Sequence, residues 1–179
     1  RSLPGLEIGG RVITSEHAMQ LSEIPQKAII LGGGVIGVEF ASVWRSFVVD
    51  VTIVEALPHL VPHEDESISK QLERAFKKRK INFSLGVRFE SVTQTDDGVT
   101  VKLEDGTELT GDYLLVAVGR GPVTDGLGFA EAGVTLDRGF VTVNDRLETS
   151  LSGVYAVGDI VPGLQLAHRG FQQGIFVAD

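Results

Sequence analysis

The 179-residue sequence contains no cysteine, so disulfides, thiolate metal sites and any cysteine redox centre are excluded within it. Long apolar runs are missing as well. No stretch approaches the roughly 20 residues needed to cross a bilayer, and the opening Arg1-Ser2-Leu3-Pro4-Gly5 does not resemble a signal peptide. A cytoplasmic protein with no membrane partner is expected. Basic side chains are outnumbered 16 to 24, for a net charge of −8, and form no extended stripe; nucleic acid is not an expected partner. Internal repeats and low-complexity segments are also absent.

The glycines are placed with more purpose. Ala28-Ile29-Ile30-Leu31 is a short apolar run of the kind buried in parallel sheets, and it meets Gly32-Gly33-Gly34-Val35-Ile36-Gly37-Val38-Glu39. This is G-x-G-x-x-G directly after a strand and opening a helix. The first glycine permits a tight turn, the second lets backbone approach a pyrophosphate, and Gly37 lets helix and strand pack closely. Free N–H groups at the helix start face the phosphates with the positive end of the helix dipole. The next apolar strand, Asp50–Glu55, ends in a carboxylate 18 residues after Gly37, near the spacing at which an acid binds an adenosine ribose 2′-OH. Ala56, Leu57 and Pro58 follow it and supply no cation for a 2′-phosphate, which favours NAD over NADP. A glycine-rich turn without ligand is the competing reading.

The rest of the chain fits around this unit. Residues 1–26 hold one apolar pair, Val12-Ile13, and one possible helical turn from Glu16 to Leu21, and read as the tail of something that began earlier. The first helix turns Val35, Val38, Ala41 and Ser42 to one side and runs to about Phe47. A second helix has Glu64, Asp65 and Glu66 at its start, Lys77 to Lys80 at its end, and Ile68, Leu72, Ala75 and Phe76 at helical spacing. From Arg88 the period becomes two. Phe89–Thr93, Val99–Leu103 and Glu108–Thr110, joined by Asp96-Asp97-Gly98 and Glu104-Asp105-Gly106, predict a three-stranded antiparallel meander. Asp112–Val118 returns to a buried strand ending at Gly119. Two further strands are expected at Phe140–Val143 and Val154–Val157, then a helix over 166–179 that stops without a cap. The fold class is α/β: a Rossmann-like parallel sheet with an inserted antiparallel meander.

Gly32-Gly33-Gly34-Val35-Ile36-Gly37-Val38-Glu39-Phe40-Ala41, Val51–Glu55, Leu114-Leu115-Val116-Ala117-Val118-Gly119-Arg120 and Val154-Tyr155-Ala156-Val157-Gly158-Asp159, followed by Leu166-Ala167-His168, occur in this order. In this the chain resembles the two-dinucleotide-binding flavoprotein disulfide reductases, and most of all the branch that oxidises a protein-bound dihydrolipoyl group. The resemblance implies an FAD domain interrupted by an NAD domain. Residues 24–147 would be the NAD domain, with 1–23 and 148–179 as pieces of the FAD domain on either side.

The resemblance further implies that Gly32 to Val38 hold the pyrophosphate, Glu55 the ribose, and Glu39 a place near the nicotinamide, with Phe89 and Gly119 bordering the cofactor. Asp159, Gln165, Leu166, Ala167 and His168 would meet FAD. A lipoyl-bearing protein of a 2-oxoacid dehydrogenase complex and a homodimer are the implied partners of the full-length protein. No catalytic residue and no metal site are assigned within these residues; His17, His59 and His63 match nothing catalytic. Another NAD(P)H-dependent flavoprotein, such as an NADH oxidase, and a non-catalytic NAD-sensing module are the alternatives. One departure from the family stands out: Val48 falls where a glycine commonly ends the first helix, so it must avoid a left-handed conformation or bear strain.

Overall fold

The computed structural model describes residues 3–179; Arg1 and Ser2, at the start of the expected 1–23 segment, lie outside them. Contacts divide the chain into two compact units, Arg1–Gly119 and Arg120–Asp179.

The first unit contains β1 (Val12–Ile13), α1 (Ser15–Ala18), β2 (Lys27–Leu31), α2 (Val35–Ser46), β3 (Asp50–Glu55), α3 (Glu66–Lys78), β4 (Asn82–Leu85), β5 (Phe89–Gln94), β6 (Val99–Leu103), β7 (Glu108–Gly111) and β8 (Tyr113–Val116). Five strands form one sheet in the order β1-β8-β2-β3-β4, with every pairing parallel. A second, antiparallel sheet is the meander β5-β6-β7. The expected fold class is therefore the observed one.

Side-chain alternation explains the layering. Along β2, Ala28 and Ile30 join a core with Val38, Ala41 and Trp44 of α2 and Phe76 of α3. Ile29 and Leu31 point the other way, into a core with Val99, Val101 and Leu103 of β6. A strand covered on both faces must be apolar at every position, which is why β2 reads as an unbroken run. On β6, with one face open, Thr100 and Lys102 alternate outward between buried valines and leucine. Each Ile, Leu or Val fully removed from water in these two cores contributes about 1.5–3 kcal/mol before entropy is counted.

Several local expectations are corrected. Val35 is exposed; the buried stripe of α2 is Gly37, Val38, Ala41 and Trp44, and Val35 lies off it. On α3 the face turned inward is Ser69, Leu72 and Phe76, so Ile68, one residue before Ser69, is rotated about 100° out to solvent. The apolar pair Val12-Ile13 pairs with Leu114 and Leu115 as an edge strand of the parallel sheet. β4, which the sequence does not announce, completes the other edge. Val48 takes φ 69° with its side chain 79% exposed, so the strain at the end of α2 is borne.

The second unit contains β9 (Leu136–Asp137), β10 (Phe140–Val141) and α4 (Ala167–Ala178), with a single 3-10 turn at Gly158–Ile160. β9 and β10 form a hairpin whose two loop residues, Arg138 and Gly139, both have positive φ, as a type I′ turn requires. Val134, Val141, Ala156 and Val161 form a small core. The expected strand Val154–Val157 is not one. Only Tyr155 finds a bridging partner, Glu148, because no neighbouring strand in the unit offers it a ladder.

Candidate functional site

The sheet's strand order places a switch point between β2 and β8. From β2 the chain crosses through α2 to β3 and then through α3 to β4, always outward on one side. It then passes through the meander and returns on the opposite flank of β2. Open parallel sheets bind ligands in the crevice beyond the carboxyl ends of the strands where this reversal occurs. The residues found there are the Gly32–Gly34 turn, after β2, and the 117–119 segment, after β8.

Each glycine of the turn answers a different local demand. Gly32 has φ 110°, and a Cβ on it would strike the Ala117 carbonyl, so the two loops lie back to back. A Cβ on Gly37 would be driven into the Gly32 carbonyl oxygen, which makes this the point where α2 closes on the turn. Gly34 is the opposite case: a Cβ there would meet nothing within 4 Å, and the residue caps α2 in extended conformation with φ −71°. It faces open space, which suits backbone that must lie against a ligand. The first N–H groups of α2, at Val35, Ile36 and Gly37, have no acceptor within the helix. Glu39 lies one turn further along, exposed.

Gly33 carries a constraint the motif does not announce. A Cβ on it would sit 2.8 Å from Leu60 Cδ2 and 3.0 Å from Glu55 Cβ. Its N–H donates to Glu55 Oε2 at 2.6 Å, and Val61 N–H donates to its carbonyl at 2.7 Å. Glu55 is buried, and its other oxygen, Oε1, accepts from Leu57 N–H at 2.8 Å. Both carboxylate oxygens are thus held by backbone donors, each retaining a lone pair for a hydroxyl. The loop that grips the site is itself strained: Val61, β-branched and buried, has φ 45°, a conformation that costs of order 1–3 kcal/mol.

Gly119, with φ 106° and open space around it, terminates the strand region of β8. Phe89 begins β5 and packs on the core between the two sheets, partly buried. In the second unit, Asp159 lies exposed in the 3-10 turn, and its carbonyl accepts from Gln165 Nε2 at 3.4 Å. Leu166 caps α4, and Ala167 and His168 open it, all three exposed. Gly158 N–H donates to Gln173 Oε1 at 2.8 Å, and a Cβ on Gly170 would lie 3.5 Å from Gly158 Cα, so the turn rests directly on the helix.

A sequence model of pyridine nucleotide-disulphide oxidoreductases matches residues 2–174. Dihydrolipoyl dehydrogenase of Bacillus subtilis is 40% identical over the whole chain, which covers 39% of that relative. Leghemoglobin reductase of Glycine max is 39% identical over 98% of the chain and 35% of its own length. The crystal structure of LpdA from Mycobacterium tuberculosis superposes with a TM-score of 0.89 at 35% identity, over 98% of this chain and 39% of that one. The chain therefore spans about two fifths of the length of the proteins it matches. Among its described residues no helix is long and apolar enough to cross a membrane. A parallel sheet with its glycine turn at the switch point, a meander set into it, and this match along almost every residue lead to one assignment: the chain belongs to the pyridine nucleotide-disulphide oxidoreductase family, whose members use FAD and a pyridine nucleotide.

Proposed function

We propose that the chain is the NAD(H)-binding part of a dihydrolipoyl dehydrogenase, with residues 24–147 as the NAD domain and 1–23 and 148–179 as pieces of the FAD domain. One observation carries the reading: the Glu55 carboxylate, at the carboxyl end of β3, is locked against the N–H of Gly33 in the glycine turn. That arrangement sets a fixed acceptor beside a patch of free helix N–H donors. An adenosine ribose and the pyrophosphate next to it present hydroxyl donors and anionic acceptors at just such adjacent positions.

The residues fit the cofactor. Gly32 to Val38 would hold the pyrophosphate through backbone N–H groups, with Gly34 allowing contact and the dipole of α2 favouring the negative charge. Glu55 would accept hydrogen bonds from the ribose hydroxyls, and Glu39 and Gly119 would lie along the nicotinamide half. Asp159 and Gln165 to His168 would serve FAD. In the whole protein the bound nicotinamide would accept a hydride that originates in dihydrolipoamide carried by a 2-oxoacid dehydrogenase complex, and the enzyme would be a homodimer. The residues of this chain bind and orient; they supply no reacting group.

Relatives named for a dihydrolipoyl group and for leghemoglobin are 40% and 39% identical to this chain. The NAD assignment is tested by calorimetric titration with NADH and NADPH. A buried carboxylate meeting a 2′-phosphate loses a charged hydrogen bond, so NADH should bind more tightly by about 1–3 kcal/mol. Equal affinities, or tighter NADPH, would overturn the role given to Glu55.

A further inference from the structure

His59 matches no catalytic pattern, yet it occupies the centre of the loop that secures the candidate site. Its ring lies between two carboxylates of α3: Nδ1 is 3.5 Å from Glu73 Oε1 and Nε2 is 3.7 Å from Glu66 Oε1. Nδ1 is out of contact with solvent and makes no hydrogen bond. Glu66 is also paired with Lys70 at 2.6 Å, whereas among the described ion pairs His59 alone faces Glu73, the more buried of the two acids. Glu64, from the same loop, and Glu66 line with His59 a cleft of about 320 Å³ that keeps the other edge of the ring open to water.

The same few residues fasten the cofactor site. Leu57 N–H holds Glu55 Oε1, Leu60 packs over Gly33, and Val61 N–H holds the Gly33 carbonyl. Leu60 N–H donates to Glu73 Oε1 at 3.2 Å, so Glu73 grips the loop at two adjacent residues. Val61 is left-handed, and a strained backbone persists only where its surroundings over-determine it. The surroundings here include an imidazole, the one side chain whose charge ordinarily changes between about pH 5 and 8.

We propose that His59 is a positioning residue whose imidazolium, held by Glu66 and Glu73, keeps the 57–61 loop in the form that aims Glu55 and Gly33 at the dinucleotide, so that cofactor affinity falls when His59 loses its proton. This rests on the NAD(H)-binding reading. The sign follows from the charges: protonated, His59 offsets two acids at the loop; neutral, it leaves Glu73 facing an uncharged ring, and the strained Val61 loses part of what fixes it.

The test is NADH titration of the chain across about pH 5.5 to 8.5. Wild type should weaken about three- to fivefold on going up this range, the scale of a half-exposed ion pair. His59→Gln should be weak and flat, and His59→Arg, charged throughout, tight and flat. Glu73→Gln keeps an acceptor for Leu60 N–H and should also flatten the profile, which serves if His59→Gln does not fold. A flat wild-type profile, or a His59→Gln or Glu73→Gln profile as steep as wild type, overturns the role of His59 while leaving NADH binding in place. No NADH binding by wild type at any pH overturns the underlying reading instead.

Discussion

Glu55 Oε2 and the backbone N–H of Gly33 are 2.6 Å apart, joining the end of β3 to the glycine turn after β2. The carboxylate is thus a structural part of the turn before it meets any ligand. With Oε1 bound to Leu57 N–H, Glu55→Ala strips two backbone donors of their acceptor. A buried donor left unpaired costs about 1–3 kcal/mol, so the variant should lose about 2 kcal/mol or more in chemical denaturation, and NADH affinity with it. Glu55→Gln keeps one acceptor and should fall between the two. An unfolding midpoint unchanged in Glu55→Ala would show that the carboxylate does not hold the turn.

Val48 ends α2 with φ 69° while its side chain is largely in water, so the left-handed backbone gains little packing in return. Its N–H donates to Arg45 O at 3.1 Å, the kind of bond that closes a helix terminus. Glycine adopts this conformation without a Cβ penalty. Val48→Gly should therefore stabilise by about 1 kcal/mol even after its greater unfolded-state entropy is counted. A lower melting temperature for Val48→Gly would count against strain at this cap.

Much of this was legible in the sequence because the governing interactions are local. An Asp-Gly turn dictates the hairpin beside it, and the apolar runs Ala28–Leu31 of β2 and Ile53-Val54 of β3 follow from burial on both faces. Asn82–Leu85 was not legible: four mixed residues become β4 only because Thr52 to Glu55 offer a free edge. Val154–Val157 was over-read for the converse reason, its β-branched character finding no partner strand. The carboxylate at position 55 could be anticipated from its spacing to Gly37, but neither its bond to Gly33 N–H nor the part played by the 57–61 loop could. A signal for it did exist. Glu66 and Glu73 are seven residues apart, two helical turns, so both acids lie on one face of α3 where a preceding loop can reach them.

Acid sensitivity should appear in α3 and in the β6–β7 turn. The Lys70 ammonium, through its hydrogen bond and its charge, and then His59 hold the Glu66 carboxyl below its ordinary 4.5. The Thr107 N–H holds Asp105 below 3.8. A depressed folded-state value means the stabilisation is complete above the ordinary value and is lost as pH falls through the lower one. Lys102 runs the other way: bonded to Glu90, it is raised above 10.5, so its contribution is lost only in strong alkali. The melting temperature difference between wild type and Glu66→Gln should therefore be present near neutrality and vanish in acid, once the pH has fallen below the lowered Glu66 value. A difference that persists there would assign the effect to packing.

The two motif glycines Gly34 and Gly37 separate binding from folding. At Gly37 a methyl has no room, because the Gly32 carbonyl already occupies its place and both atoms belong to backbone. Gly37→Ala must push α2 away from the turn, and overpacking of backbone on backbone costs about 3 kcal/mol or more. At Gly34 the methyl enters empty space with φ −71°, which alanine adopts freely, so stability should stay within about 0.5 kcal/mol of wild type. The empty space is where the pyrophosphate is proposed to lie, and there the added methyl would hold the ligand off the N–H groups of α2. Gly34→Ala should thus melt with wild type and bind NADH at least about tenfold more weakly, the cost of one charged hydrogen bond. Thermal melts and calorimetric titrations on the same two preparations decide the matter. If Gly34→Ala binds NADH as wild type does, the dinucleotide does not cross the turn at this residue.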